Sequence, residues 1–125
     1  MTQRKRTVLV VDDEDILRSL TCDLIEAEGY DVLSAGNGRE AMEVFKEHGV
    51  KIGLVVLDMS MPEMDGTQTF QALREIDPAL KVLVASGFSE DPHVAHLVEN
   101  GAHGVIPKPF KVDELTKIVR EAMND

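Results

Sequence analysis

At 125 residues the chain has room for one domain around one core, and its 43% hydrophobic and 29% charged residues are those of an ordinary globular protein. The formal net charge of −10 argues against a nucleic-acid-binding surface, since affinity for phosphate backbones rests on clustered Lys and Arg. An acidic chain of this kind remains suited to holding a divalent metal.

Arg4-Lys5-Arg6 before Val8-Leu9-Val10-Val11 has the outline of a signal peptide, but the apolar run ends almost at once in Asp12-Asp13-Glu14-Asp15. No stretch approaches the ~18 apolar residues of a membrane span, so a cytoplasmic protein without a membrane partner is expected. Thr7 to Val11 reads as a first strand, apolar throughout as in a parallel sheet covered on both faces. Asp15 is expected to cap a helix with Ile16, Leu17, Leu20, Leu24 and Ile25 on its inner face, closed by Gly29. The single cysteine, Cys22, falls on this helix; one cysteine excludes an internal disulfide, and a plain buried thiol is expected.

Asp31 to Ala35 makes a second strand, and Gly36-Asn37-Gly38 turns the chain into a helix carrying Ala41, Met42, Val44 and Phe45, closed by Gly49. Ile52 to Leu57 is a third strand with Asp58 at its end. After the loop, Asp65-Gly66 precede a helix with Phe70, Leu73 and Ile76, which stops at Asp77-Pro78 because the residue before proline is pushed out of the helical region. The fourth strand, Val82 to Ala85, ends at Ser86-Gly87. Asp91-Pro92 opens a short helix with a stripe of Val94, Leu97 and Val98, closed by Asn100-Gly101. Val105-Ile106 is a brief fifth strand before Pro107-Lys108-Pro109-Phe110, and a last helix uses Leu115, Ile118, Val119, Ala122 and Met123.

Five alternations of strand and helix specify an α/β fold with a parallel sheet, and helices on both faces require the winding to reverse once. Ligands in such sheets sit at the carboxyl ends of the strands, at that reversal. The first strand ends in Asp12-Asp13, the third in Asp58, the fourth in Ser86 and the fifth in Lys108, all on one edge. Three crowded carboxylates repel one another unless a hard divalent cation such as Mg²⁺ sits among them. Asp58 is then placed as a nucleophile on phosphorus, with the metal and Lys108 neutralising the phosphoryl oxygens and Ser86 donating a hydrogen bond.

These motifs, Val10-Val11-Asp12-Asp13-Glu14, Asp58 with Met61-Pro62 and Met64-Asp65-Gly66, Ser86, and Lys108-Pro109-Phe110, make the chain resemble a response-regulator receiver domain of the CheY type from two-component signalling. The resemblance runs from about Thr7 to Met123 and treats residues 1–125 as a single receiver domain. It implies a flavodoxin-like, doubly wound sheet of strand order 2-1-3-4-5 with five helices, an order the general description of such folds already gives for CheY. It implies Asp58 as phosphoacceptor, Asp12, Asp13 and the Ser60 backbone carbonyl as further Mg²⁺ ligands, and Ser86 and Lys108 as the groups that meet the phosphoryl oxygens. It further implies a Lys108-Pro109 bond that is often cis, and a switching surface on the fourth helix, fifth strand and fifth helix. The implied partners are a sensor histidine kinase or histidine phosphotransfer protein as donor, and an output partner or attached domain. A free-standing receiver and one excised from a hybrid kinase or larger regulator both fit.

One position departs from the pattern. Val105 stands where chemotaxis-type receivers often carry a mobile aromatic residue, and Phe88 either replaces that bulk or packs its own loop. Two enzyme readings compete. Gly36-Asn37-Gly38-Arg39-Glu40-Ala41 matches the dinucleotide fingerprint G-x-G-x-x-A, but on the second strand, without a second mononucleotide half, and leaving Asp12, Asp13 and Lys108 unexplained. A phosphatase of the haloacid dehalogenase type needs an acid two residues after its nucleophile, where this chain has Ser60, so a stoichiometric acceptor is expected in place of a turnover enzyme. His93 and His96, one helical turn apart without a third ligand, are expected to face solvent.

Overall fold

A computed structural model describes residues 6–59, 66–87 and 92–124, with the side chains of Pro92 and His93 excepted. Five strands, β1 (Thr7–Val11), β2 (Asp31–Ala35), β3 (Ile52–Asp58), β4 (Lys81–Ser86) and β5 (Gly104–Pro107), alternate with helices α1 (Asp15–Glu26), α2 (Gly38–His48), α3 (Gly66–Ile76), α4 (Pro92–Glu99) and α5 (Val112–Asn124). All ladders are parallel, as the strand and helix alternation predicts, and the order is β2-β1-β3-β4-β5, as the receiver resemblance implies.

The core has two layers because β1 alternates across the sheet. Leu9 and Val11 join Ala41 and Phe45 of α2, Phe70 and Leu73 of α3 and Val94 and Leu97 of α4 on one face. Val8 and Val10 join Ile25 of α1 and Leu115, Val119 and Ala122 of α5 on the other. The near-continuous burial of β1, β3 and β4 follows from this double coverage, whereas β2, at an edge, is only partly buried.

Helix α1 corrects the expected face. Ile16 and Leu20 are exposed, at 87% and 49%, and the buried positions are Thr21 and Ile25, with Leu17, Cys22 and Leu24 half-buried. Thr21 tolerates burial because its hydroxyl donates to the Leu17 carbonyl at 2.8 Å. Asp15 is not the cap: Glu14 holds that position without a side-chain cap bond, and the Asp15 carboxylate pairs with Arg18. On α4, Val98 is likewise 45% exposed while Val94 and Leu97 are buried. Cys22 packs against the α1/α5 layer, where burial raises its thiol pKa.

The expected stops hold with different geometries. Gly29 and Gly101 adopt φ of 95° and 105°, a left-handed backbone that disfavours a side chain. Gly49 closes α2 with an ordinary helical φ of −54°, and its constraint is steric: a Cβ there would lie 2.5 Å from the Phe45 carbonyl oxygen. Among the described residues, no helix is long and apolar enough to cross a membrane.

Candidate functional site

The order reversal places the carboxyl ends of β1 and β3 side by side. Val11 pairs with Leu57, so Asp12 and Asp58 leave the sheet as neighbours; Asp58 in turn pairs with Ala85, and Ser86 with Pro107. The crevice therefore collects residues from four strand ends through register alone.

Asp58 is 2% exposed, and the Lys108 ammonium donates to its Oδ1 at 2.9 Å. Lys108 is held in turn by its backbone N–H, which donates to the Ser86 carbonyl at 2.9 Å across the β4–β5 exit, and the Lys108-Pro109 bond is cis. One carboxylate oxygen from each of Asp12, Asp13 and Asp58 lies within 4.8 Å of the others. Asp12 is buried and Asp13 exposed, so the group opens to solvent on one side. Three hard oxygen donors at this separation, mutually repulsive and only partly offset by one lysine, form a donor set that fits Mg²⁺ or a similar divalent cation.

Asp12 carries the electrostatic signature of this crowding. Burial pushes its carboxyl pKa up, the Glu14 N–H bonded to Oδ1 at 2.9 Å pulls it down, Asp58 raises it, Lys108 lowers it and Asp13 raises it, with burial the largest influence. A carboxyl whose pKa is raised on folding adds stability below its unfolded value, and that contribution is lost as pH rises through the folded value. At neutral pH in the presence of chelator, Asp12→Asn is therefore expected to raise the urea midpoint. The amide oxygen can still accept from Glu14 while the charge is gone. The advantage should vanish on acidification toward the ordinary carboxylate range; an unchanged or lower midpoint at neutral pH contradicts the electrostatic reading.

Helix α3 begins hard against the strand that carries Asp58. A Cβ on Gly66 would lie 2.6 Å from Met59 Sδ, 3.1 Å from Met59 Cα and 3.2 Å from the Asp58 carbonyl oxygen. The thioether can move, but the two backbone atoms are fixed by the ladder, where Met59 N–H donates to the Ala85 carbonyl at 3.1 Å. Gly66→Ala is expected to lower unfolding free energy by about 1–3 kcal/mol through overpacking, read by urea titration. A midpoint equal to that of the unsubstituted chain would mean the approach is not tight.

The site thus brings together Asp12, Asp13, Asp58 and Lys108, with Ser86 buried at the adjoining β4 terminus. Ser60 and Phe88 lie outside the described residues. Val105, beside Val84 on β5, is a half-buried aliphatic packed on the α2/α3/α4 layer. His96 is exposed beside Asn100, as expected, while the His93 side chain lies outside the described set. The Gly36-Asn37-Gly38 turn has a local explanation. Asn37 caps α2 by accepting from the Glu40 N–H at 2.9 Å, and a Cβ on Gly36 would sit 3.3 Å from both Arg18 Nη1 and Glu40 Oε2. Arg18 itself was not singled out by sequence: its Nη1 donates to the Asp12 backbone carbonyl at 2.8 Å, a contact across the β1–α1 turn that no local pattern announces.

Residues 8–120 match the family model described as the response regulator receiver domain. The chain belongs to this receiver family. The sensor kinase CckA of Brucella abortus strain 2308 is 38% identical over 117 residues, a match covering 94% of this chain and 12% of that kinase. The chemotaxis protein CheY of Thermotoga maritima is 37% identical over 118 residues, covering 90% of this chain and 97% of its own. A receiver domain protein from Clostridium thermocellum superposes with a TM-score of 0.88 at 27% identity, covering 94% of each chain. The chain thus spans nearly the whole length of one relative and a small segment of a much longer kinase.

Proposed function

We propose that this receiver domain accepts a phosphoryl group on Asp58 from a phosphohistidine of a sensor kinase or phosphotransfer protein, and that Mg²⁺ is required. The observation that carries the reading is the Asp58 carboxylate itself: 2% exposed, paired to Lys108 at 2.9 Å, and grouped with Asp12 and Asp13 within 4.8 Å. An Asp ending a strand as a mere surface acid has no reason to be buried among two more carboxylates.

In this reading Asp12, Asp13, Asp58 and the Ser60 backbone carbonyl hold Mg²⁺. The cation, when bound, supplies neutralisation of the phosphoryl oxygens in the transition state. An Asp58 oxygen attacks phosphorus, the new O–P bond forms as the N–P bond to imidazole breaks, and the nitrogen keeps the bonding pair. Lys108 exchanges its bond to the carboxylate for one to a phosphoryl oxygen, and Ser86 adds a hydroxyl donor. No second acid stands at Ser60 to activate water, so the acyl phosphate persists and the domain acts as a stoichiometric switch, phosphorylated in the cytoplasm.

The added charge, close to two units, is compensated by groups on the β4 and β5 ends, which biases the surface of α4, β5 and α5. Val98 on α4 and Val112 on α5, 45% and 53% exposed, provide apolar contacts there for an output partner or attached domain. With Val105 at the β5 position, the relay runs through the strand ends without an aromatic flip on β5.

The test is phosphotransfer from an autophosphorylated histidine kinase core, with and without Mg²⁺. Rapid single-equivalent transfer that chelator abolishes is expected. Continuous release of phosphate from a generic ester, or transfer indifferent to chelator, would count against the reading.

A further inference from the structure

Asp12 is held at three points, only two of which come from its own neighbourhood in the chain or the sheet. Its N–H donates to the Ala35 carbonyl of β2 at 3.1 Å, and its Oδ1 accepts from the Glu14 N–H at 2.9 Å. The third is Arg18, one turn into α1, whose Nη1 donates to the Asp12 carbonyl oxygen at 2.8 Å while Nη2 donates to Asp15 Oδ1 at 2.8 Å. The Arg18 side chain is 22% exposed, and the β2–α2 turn approaches its guanidinium at Gly36, where a Cβ would come within 3.3 Å of Nη1. Two acceptors bonded by separate nitrogens of one planar fork suit arginine better than the single ammonium nitrogen of lysine.

We infer that Arg18 is a positioning residue for the cation site: it fixes the Asp12–Asp13 turn against α1 before any metal arrives. The inference rests on the reading that the acidic group binds Mg²⁺. β1 ends at Val11, so the two acidic residues stand at the first positions beyond the strand. Without the Arg18 bond the carbonyl between them is released, and the turn must be ordered at the expense of binding. Groups that orient metal ligands from behind change affinity by about 10–100-fold in metal sites generally.

A competing effect has the opposite sign. A cation beside a cation site repels its occupant, so removing Arg18 would tighten binding if charge dominated. Asp15 offsets that charge at 2.8 Å, which leaves positioning as the stronger influence. The two effects are separable because they move the affinity in opposite directions.

The experiment is calorimetric titration of the unphosphorylated chain with MgCl₂, on the unsubstituted protein, Arg18→Ala, Arg18→Lys and the core truncation Ile25→Val on the same helix. Arg18→Ala is expected to weaken Mg²⁺ binding roughly tenfold, and Arg18→Lys, which keeps the charge but not the fork, to fall between. Ile25→Val should lower the urea midpoint and leave Mg²⁺ affinity unchanged, separating positioning from stability; should Arg18→Ala fail to fold, the lysine variant carries the test. Equal or tighter binding by the arginine variants overturns the positioning role while the unsubstituted protein still binds. Absence of saturable binding by the unsubstituted protein overturns the metal-site reading and the inference with it.

Discussion

Asp58→Asn is expected to eliminate phosphate acceptance while leaving the fold within about 1 kcal/mol of its original stability. The chemical half follows from nucleophilicity: a carboxylate oxygen attacks phosphorus, and a carboxamide of the same shape does not. The stability half follows from comparing opposed charges. At an effective dielectric constant near 20, the attraction to Lys108 at 2.9 Å is about 6 kcal/mol, and repulsion from a carboxylate oxygen lying within 4.8 Å is about 3 kcal/mol or more. Two such repulsions, from Asp12 and the solvent-screened Asp13, come close to cancelling the one attraction. Phosphotransfer assays and urea titration in chelator check both halves together.

Lys108→Ala breaks the same ion pair from the other end, and the outcome should be unlike it. Here the attraction disappears and both repulsions stay, leaving Asp58 buried at 2% exposure with two acidic neighbours. Breaking a buried pair in this way typically costs 3–5 kcal/mol; because Lys108 keeps 16% of its side chain exposed, about 2–3 kcal/mol is expected here. Phosphotransfer should slow by about a hundredfold, the scale for losing one preorganised donor to developing charge. Mg²⁺ should recover more stability in this variant than in the unsubstituted chain, since the cation then takes over the neutralisation that Lys108 supplied. If Lys108→Ala and Asp58→Asn have equal urea midpoints in chelator, the repulsive arrangement of the three carboxylates is not what governs this pocket.

The strand ends were legible because each is marked by an abrupt change of chemistry: Val11 to Asp12, Leu57 to Asp58, Ala85 to Ser86, and Pro107 to Lys108. A parallel sheet puts those four points on one edge, so reading the fold and reading the candidate site were a single step. Helix α1 was misread for a physical reason. Its apolar letters outnumber the positions its inner face can hold, and the buried row runs through Thr21, a polar letter that satisfies its hydroxyl on the Leu17 carbonyl. Thr69 and Thr116 are buried on α3 and α5 as well, and Thr116 repeats the device by bonding the Val112 carbonyl at 3.0 Å. Arg18 escaped notice because its bond to the acidic turn is to a backbone atom, and backbone acceptors leave no mark in a sequence. The sequence places Gly66 just before a helix, whereas it opens α3 and its stronger constraint is the 3.1 and 3.2 Å approach to the Met59 and Asp58 backbone.

The site also explains why an acidic chain would keep so costly a cluster. With burial and two like charges raising the Asp12 pKa, the pocket holds electrostatic strain that a bound cation would relieve. On the proposed function, phosphorylation of Asp58 would replace one carboxylate charge by a larger one at the same place. Lys108 and Ser86 are tied to each other by the backbone bond at 2.9 Å, so a shift of either toward the phosphoryl group moves the β4 and β5 ends together. On the proposed function, that link would be the physical basis for a local charge change reaching α4 and α5.

The most direct measurement is the position of the phosphoryl group. After transfer from a phosphorylated kinase core in Mg²⁺, borohydride reduction converts an acyl phosphate to the corresponding alcohol, and peptide mass spectrometry locates the changed residue. The account predicts that Asp58 alone is converted to homoserine, and that conversion is lost in Asp58→Asn. Conversion at Asp12 or Asp13, or a phosphorylated product that survives Asp58→Asn, would contradict it.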